Sequence, residues 1–233
     1  MVKHIVACAC GVQTVLVLLY VVASASGLVE QGTGTVTGMV MTGEIPDARL
    51  VAVTTDQAVC GNQVEDRVAV VDAQGGVANA VIIVTGVPWG DVKPEPVINN
   101  AGCYFVPRVQ VAATRSLVKV TSEDDTLHTT HAYDDRQRTL FNIAIPVPGI
   151  QIDRPLRRPG PVRIECDSHG WMRGWVYVTD DVGAVSGSDG RFELTGIPAG
   201  SYSVKMWHEL YGEQSQQVTV TVDGTTEISF DLD

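Results

Sequence analysis

The chain has 233 residues, with 27 acidic against 16 basic side chains and a formal net charge of −11. That length holds one large or two small domains, and so acidic a balance excludes nucleic acid as a natural partner. Gly (23) and Pro (11) are plentiful, alternating Val/Ile/Thr runs recur, and no helical period follows the N-terminus. The expected class is therefore an all-β sandwich or barrel.

Lys3, the apolar run Val12 to Ala23 and the small residues Ala23-Ser24-Ala25 have the layout of a secretory signal. The reading is a signal peptide over 1–25, cut after Ala25, and a periplasmic or secreted protein. The apolar run from Ile5 is nearly long enough to span a bilayer, so membrane attachment follows only if the segment stays uncleaved. Cys8 and Cys10 leave with the signal. Cys60, Cys103 and Cys166 remain, an odd number in an oxidising compartment. Cys166 has His169 and Met172 beside it and is the natural unpaired ligand. Cys60 and Cys103 are then candidates for a disulfide, the alternative being two buried thiols.

Along the mature chain, strands are expected at Thr35 to Met41, Arg49 to Thr54, Arg67 to Asp72 and Ala80 to Gly86. Val87 to Ala101, with three prolines, reads as a long loop. Further strands follow at Tyr104 to Ala112, Ser116 to Ser122, Leu127 to Tyr133, Thr139 to Ile145, Val162 to Cys166 and Met172 to Val178. This is about ten strands, as in a Greek-key sandwich. Glu123, Asp124 and Asp125 read as a turn. The stretch Ile145 to Pro161 carries Arg154, Arg157 and Arg158. A solvated loop accounts for these, and a docking patch for an acidic partner is the sharper alternative.

The stretch Cys166-Asp167-Ser168-His169-Gly170-Trp171-Met172 carries the chemistry. A thiolate, an imidazole and a thioether fall within seven residues, and soft sulfur with imidazole selects copper. Two His, one Cys and a distant Met make an electron-transfer copper site. Zinc prefers four firm ligands and fits less well. The strand Leu127 to Tyr133 offers His128 and His131, which face opposite sides because they lie three residues apart. Only one of them can be the second imidazole. His208 reads as a packed or surface residue, and Met39 and Met41 as core or edge. No serine elbow, phosphate loop or carboxylate pair with a placed base is present, so no enzyme is expected.

The ligand loop, continued by Arg173-Gly174-Trp175-Val176-Tyr177-Val178, resembles that of the cupredoxins, and of the amicyanin type with its short C-x-x-H-x-x-M. The resemblance covers roughly Ala80 to Val178. It implies a Greek-key cupredoxin-like copper-binding domain over 27–180, with His128, Cys166, His169 and Met172 on one copper ion. It also implies an electron carrier that meets a redox partner protein. By the same resemblance His169 is the solvent-facing edge, and Trp171 is either a docking contact or simple packing. Two departures stand out: Leu127 where these proteins usually have Pro, and Thr129 where they usually have Asn. Copper trafficking or storage, and a structural β module with a vestigial site, are the alternative functions.

After Asp181 the texture changes to Asp-Gly and Pro-Ala-Gly turns between short strands. The pattern SDGRFELTGIPAGSYSV is similar to the carboxypeptidase regulatory-like domain, which implies a small C-terminal β-sandwich over 181–233. About 50 residues would be marginal alone.

Overall fold

The computed structural model describes Met1 and residues 32–232, so the expected signal peptide lies outside the described residues. In chain order the elements are β1 (Thr33–Met41), β2 (Leu50–Ala52), α1 (Gln57–Cys60), β3 (Gln63–Glu65), β4 (Val81–Pro88), β5 (Val97–Ala101), β6 (Tyr104–Val106), β7 (Val109–Ala113) and β8 (Leu117–Ser122). There follow β9 (His128–Tyr133), β10 (Thr139–Ile145), β11 (Gln151–Pro155), β12 (Gly160–Glu165), β13 (Arg173–Thr179), β14 (Asp181–Val185), β15 (Arg191–Pro198), β16 (Gly200–His208), β17 (Gly212–Val220) and β18 (Thr225–Asp231). The all-β class expected from the sequence is the class observed.

The first sandwich packs a five-stranded sheet, β10-β9-β12-β13-β7, against a four-stranded one, β11-β8-β5-β6. Its core holds Ile98, Phe105, Val118, Val120, Ile143, Ile145, Leu156, Val162, Ile164 and Val176. Two of its strands were hidden in the sequence. β5 lies within the expected Pro-rich loop and carries a fully buried Asn100, whose Nδ2–H donates to the Thr121 carbonyl at 2.7 Å. β11 is a polar edge strand, Gln-Ile-Asp-Arg-Pro, paired only with β8. Conversely, Arg67 to Asp72 forms no strand beyond an isolated bridge of Val71 to Val77. The expected strand Tyr104 to Ala112 is interrupted at Pro107 and Arg108, since Pro has no N–H for a ladder.

The second sandwich packs β15-β1-β18 against β14-β4-β16-β17 around Val36, Val40, Ile82, Val84, Phe192, Leu194, Val204, Met206 and Phe230. Here the strand pairing departs from a division of the chain at residue 180. β1 and β4, expected in the first domain, pair with C-terminal strands instead. β1 is the middle strand of its sheet, antiparallel to β15 and parallel to β18. β4 sits between β14 and β16. The strands of the first sandwich are thus inserted, in sequence, into the second. Gly38 marks how closely β1 is flanked, because a Cβ there would lie 2.1 Å from the Ile228 carbonyl oxygen.

A third apolar cluster joins the two sandwiches. Val81, Ile83 and Trp207 of the second meet Val109 and Tyr177 of the first, with Val111, Trp175 and Val185 packed against them. Trp207 is edge-on to Trp175, with ring centroids 5.1 Å apart. Arg108 bonds the Arg173 carbonyl and pairs with the buried Glu209 across the same seam. Burial, helped by Glu213, pushes the Tyr177 phenol up to about 12. β13, the strand that follows the Cys166 loop, is therefore clamped from both sides.

Candidate metal centre

The site is built where β9 and β12 end side by side in the five-stranded sheet. Glu165 pairs with His131, which sets the register of the two strands. Burial alternates along β9, so His128 and Thr130 point inward and His131 points outward. Cys166 follows β12 directly. The loop after it is short because the Met172 N–H bonds the His169 carbonyl at 2.9 Å and the Cys166 N–H bonds the Met172 carbonyl at 3.4 Å. That turn swings His169 back over Cys166.

Three donor atoms converge. His169 Nδ1 lies 3.5 Å from Cys166 Sγ, and His128 Nδ1 lies 3.9 Å from it. The two Nδ1 atoms are 3.0 Å apart. His128 and His169 are fully buried, Cys166 is 4% exposed and Met172 1%. Met172 packs in the same apolar cluster as Cys166. His131 is not part of the group. It bonds Asp167 at 2.9 Å and Thr139 at 2.8 Å on the outer face. That hydrogen bond, with another from Asn142, holds the Asp167 carboxyl below the usual carboxylate range.

The outer nitrogens of both imidazoles are tied to carboxylates. His128 Nε2 is 2.9 Å from Asp124 Oδ2, and His169 Nε2 is 2.9 Å from Asp56 Oδ2. Asp124 also accepts the N–H groups of Gly102 and Cys103 at 2.7 and 2.8 Å. A carboxylate accepts and does not donate, so each Nε2 carries a hydrogen, and each ring when neutral presents its Nδ1 lone pair to the centre. Two lone pairs 3.0 Å apart, beside sulfur, repel unless a cation lies among them. Imidazole and thiolate bonds of about 2.0–2.3 Å to a single ion give donor separations of this size. The residues therefore fit one soft metal ion. Burial, and next the neighbouring His169, push the His128 imidazole below its ordinary value in spite of Asp124.

Thr129 takes the place where the resemblance expects Asn, and it still joins the two ligand segments. Its N–H points at Cys166 Sγ at 3.4 Å, its hydroxyl lies 3.7 Å from the same sulfur, and that hydroxyl accepts the Asp167 N–H at 2.6 Å. Cys60 and Cys103 form the expected disulfide, with their Cα atoms 5.5 Å apart, and Cys166 is left as a free buried thiol.

Two expectations need correction. His169 is not a solvent-facing edge, because Asp56 and its neighbours cover it. The acidic cluster at 123–125 is more than a turn, because Asp124 orients a site histidine. Sequence reasoning missed both aspartates. Only the i,i+4 spacing of Asp124 and His128 hinted at one of them. Trp171 packs against the first core and donates its indole N–H to the Cys103 carbonyl at 3.2 Å. Arg154, Arg157 and Arg158 line one cleft with Arg136 and Arg138. That cleft flanks Thr139, whose β9 partner is Tyr133, at the opposite end of the strand from His128. His208 is buried at the end of β16 and belongs to neither group of converging donors among the described residues.

Known proteins resemble the chain in two parts. Residues 176–233 match the carboxypeptidase regulatory-like domain. No curated protein matches the chain. Among solved structures, a purple cupredoxin from Nitrosopumilus maritimus is similar over 36% of this chain and 100% of its own, at 18% identity and a TM-score of 0.33. Amicyanin from Paracoccus versutus is similar over 42% and 97%, at 18% identity and a TM-score of 0.32. A copper-containing nitrite reductase from Thermus scotoductus is similar over 41% of this chain and 26% of its own, at 19% identity and a TM-score of 0.32. Each likeness spans less than half of the chain, so the reading of the site rests on its own side chains.

Proposed function

We propose that this chain is a mononuclear copper protein that carries single electrons, with His128, Cys166, His169 and Met172 as the ligands. One observation carries the reading: two imidazole nitrogens and a thiol sulfur, all buried, aim at one point. When bound there, copper supplies one-electron exchange between Cu(I) and Cu(II). The chain's own residues do the rest. His128 and His169 keep their Nδ1 lone pairs inward through their carboxylates. Cys166 ligates as thiolate, so loading releases a proton. Thr129 donates toward the sulfur, which orients it and tunes its electron density. The packed core and the clamp on β13 resist rearrangement when the charge changes, which favours fast electron exchange.

Burial of all three donors leaves no open approach for a substrate, which supports a carrier over an enzyme. It also weighs against copper trafficking, which calls for an exchangeable, exposed site. The disulfide suits an oxidising compartment, in keeping with an exported protein, and no helix among the described residues is long and apolar enough to cross a membrane. The partner is then another redox protein that gives or accepts one electron. Adding Cu(II) to the purified protein and recording the visible spectrum tests the reading. An intense thiolate-to-copper band is expected. Tight but colourless Cu(I) binding points to trafficking, and no binding leaves only a structural role.

A further inference from the structure

His169 sits on a loop whose neighbours Ser168 and Gly170 are exposed, yet its ring is fully buried. The cover is residues 53–60, which no ligand motif includes. Thr55 donates its hydroxyl to the Ser168 carbonyl at 3.1 Å, and Asp56 takes the His169 Nε2–H at 2.9 Å. Both contacts span 113 residues of sequence. The segment is held at each end. Val53 is buried in the first core and bonds Asn62 through its N–H at 3.0 Å. Cys60 is bridged to Cys103, whose carbonyl receives the Trp171 indole N–H. Trp171 in turn lies against His169, with ring centroids 5.1 Å apart.

The backbone is bent to aim the carboxylate. Asp56 has φ 53° and ψ 35°, the left-handed region, which among non-glycine residues Asn and Asp enter most readily. The bend starts the single turn of α1, with the Val59 and Cys60 N–H groups on the Asp56 carbonyl at 2.9 Å each. The two carboxylates of the site differ in how they are mounted. Asp124 is fixed by backbone N–H groups beside β9, whereas Asp56 is 44% exposed at its side chain and rides on the cover.

We propose that residues 53–60 are a disulfide-pinned lid on the metal centre and that Asp56 is the positioning residue for His169. This rests on the copper reading. With the lid shut, Asp56 holds the proton on Nε2, raises the ligand strength of Nδ1 and keeps solvent and competing ligands off the ion. With the lid open, His169 would lose its orienting partner while His128 keeps its own, and His169 would hold a metal less firmly. Copper retention is then set by the lid and its cystine as well as by the ligands. Loss of an orienting carboxylate lowers metal affinity roughly 10- to 100-fold.

The test compares the full-length protein with Asp56→Ala, with Asp56→Asn, which keeps an acceptor and tolerates the left-handed backbone, and with the Cys60→Ala/Cys103→Ala pair. Copper is loaded and its removal by EDTA is followed. Expected are a 10- to 100-fold loss of Cu(II) affinity and faster removal for Asp56→Ala, with Asp56→Asn in between. The double cysteine variant should release copper faster while keeping the spectrum of the loaded site. The second readout needs no metal. Imidazole ¹⁵N shifts of the copper-free protein should show His169 protonated at Nε2 in the wild type and mixed tautomers in Asp56→Ala. Unchanged tautomer and unchanged copper release in Asp56→Ala would overturn the proposal. A wild-type protein that takes up no copper would instead overturn the functional reading, and the tautomer measurement would still decide the role of Asp56.

Discussion

The two sandwiches solve the same packing problem with different means. The second is nearly all aliphatic and aromatic inside, with Ile82, Val84, Met206 and Phe230 meeting across two sheets. The first puts two histidines, a cysteine and a methionine into the end of its core and closes that end with a disulfide and a short segment of extra chain. Buried polar groups are costly unless paired. Each site imidazole accordingly has a carboxylate behind it, and the sulfur has Thr129. The second sandwich buries mostly apolar side chains, whereas the first buries a donor cluster whose two imidazoles and sulfur each have a polar partner.

The largest effect is expected from cutting the chain at residue 181, the start of the C-terminal domain read from the sequence and five residues inside the family match. Residues 181–233 alone lack β1 and β4, each of which is flanked on both sides in its sheet. This fragment is expected to show no cooperative unfolding by circular dichroism. Joining residues 32–88 to 181–232 through a short linker should restore a transition, because Pro88 and Asp181 are already paired. A cooperatively folded 181–233 fragment would refute the insertion of one sandwich into the other.

Next in size is Cys166→Ala. It should abolish the thiolate-to-copper band outright while leaving amide hydrogen exchange in the second sandwich unchanged. A retained band would remove Cys166 from the ligand set. Trp207→Ala then tests the seam. Emptying a buried tryptophan site costs roughly 3–5 kcal/mol, and the two sandwiches should begin to unfold in separate steps. A single transition at wild-type denaturant concentration would show that the seam contributes little.

The fourth prediction contrasts the histidines of the two regions. Burial, and then the nearby Arg108, push the His208 imidazole down to about 4. The unfolded chain takes up that proton near the ordinary value of about 6.5. Between those values the unfolded state binds more protons, so stability is full above about 6.5 and falls as the pH drops toward 4. The His208 share of that loss is at most about 3 kcal/mol. His208→Asn keeps an acceptor for the Leu210 N–H, which bonds His208 Nδ1 at 3.2 Å, and should flatten the slope. Denaturation curves at pH 7 and 4.5 decide it, and equal slopes in both proteins would count against the assignment. The smallest effect is at Thr129. Thr129→Val removes the hydroxyl from the sulfur and from the Asp167 N–H, costing about 1–2 kcal/mol. A shifted copper band with the ligands intact is the expected sign, and an unchanged spectrum argues against tuning by this residue.

What could be read from the sequence had a local signature. Cys166, His169 and Met172 lie in one turn, and period-two alternation separates His128 from His131 within a single strand. The odd cysteine count left Cys166 free of the pair that closed. Alternation also gave the β class and most strand positions. It failed at β5, where a buried Asn breaks the apolar pattern, and at β11, which is polar because it lies at an edge.

Local sequence thus determined which side chains can bind a soft metal and that the chain folds as sheets, because ligand type and alternation act over a few residues. The tertiary structure decided which strands share a sheet, which aspartates stand behind the histidines and what covers His169. Those depend on pairings across tens to more than a hundred residues. An alternating strand specifies a face to bury and leaves its partner open. An aspartate at position 56 carries no mark that its carboxylate will meet an imidazole at position 169.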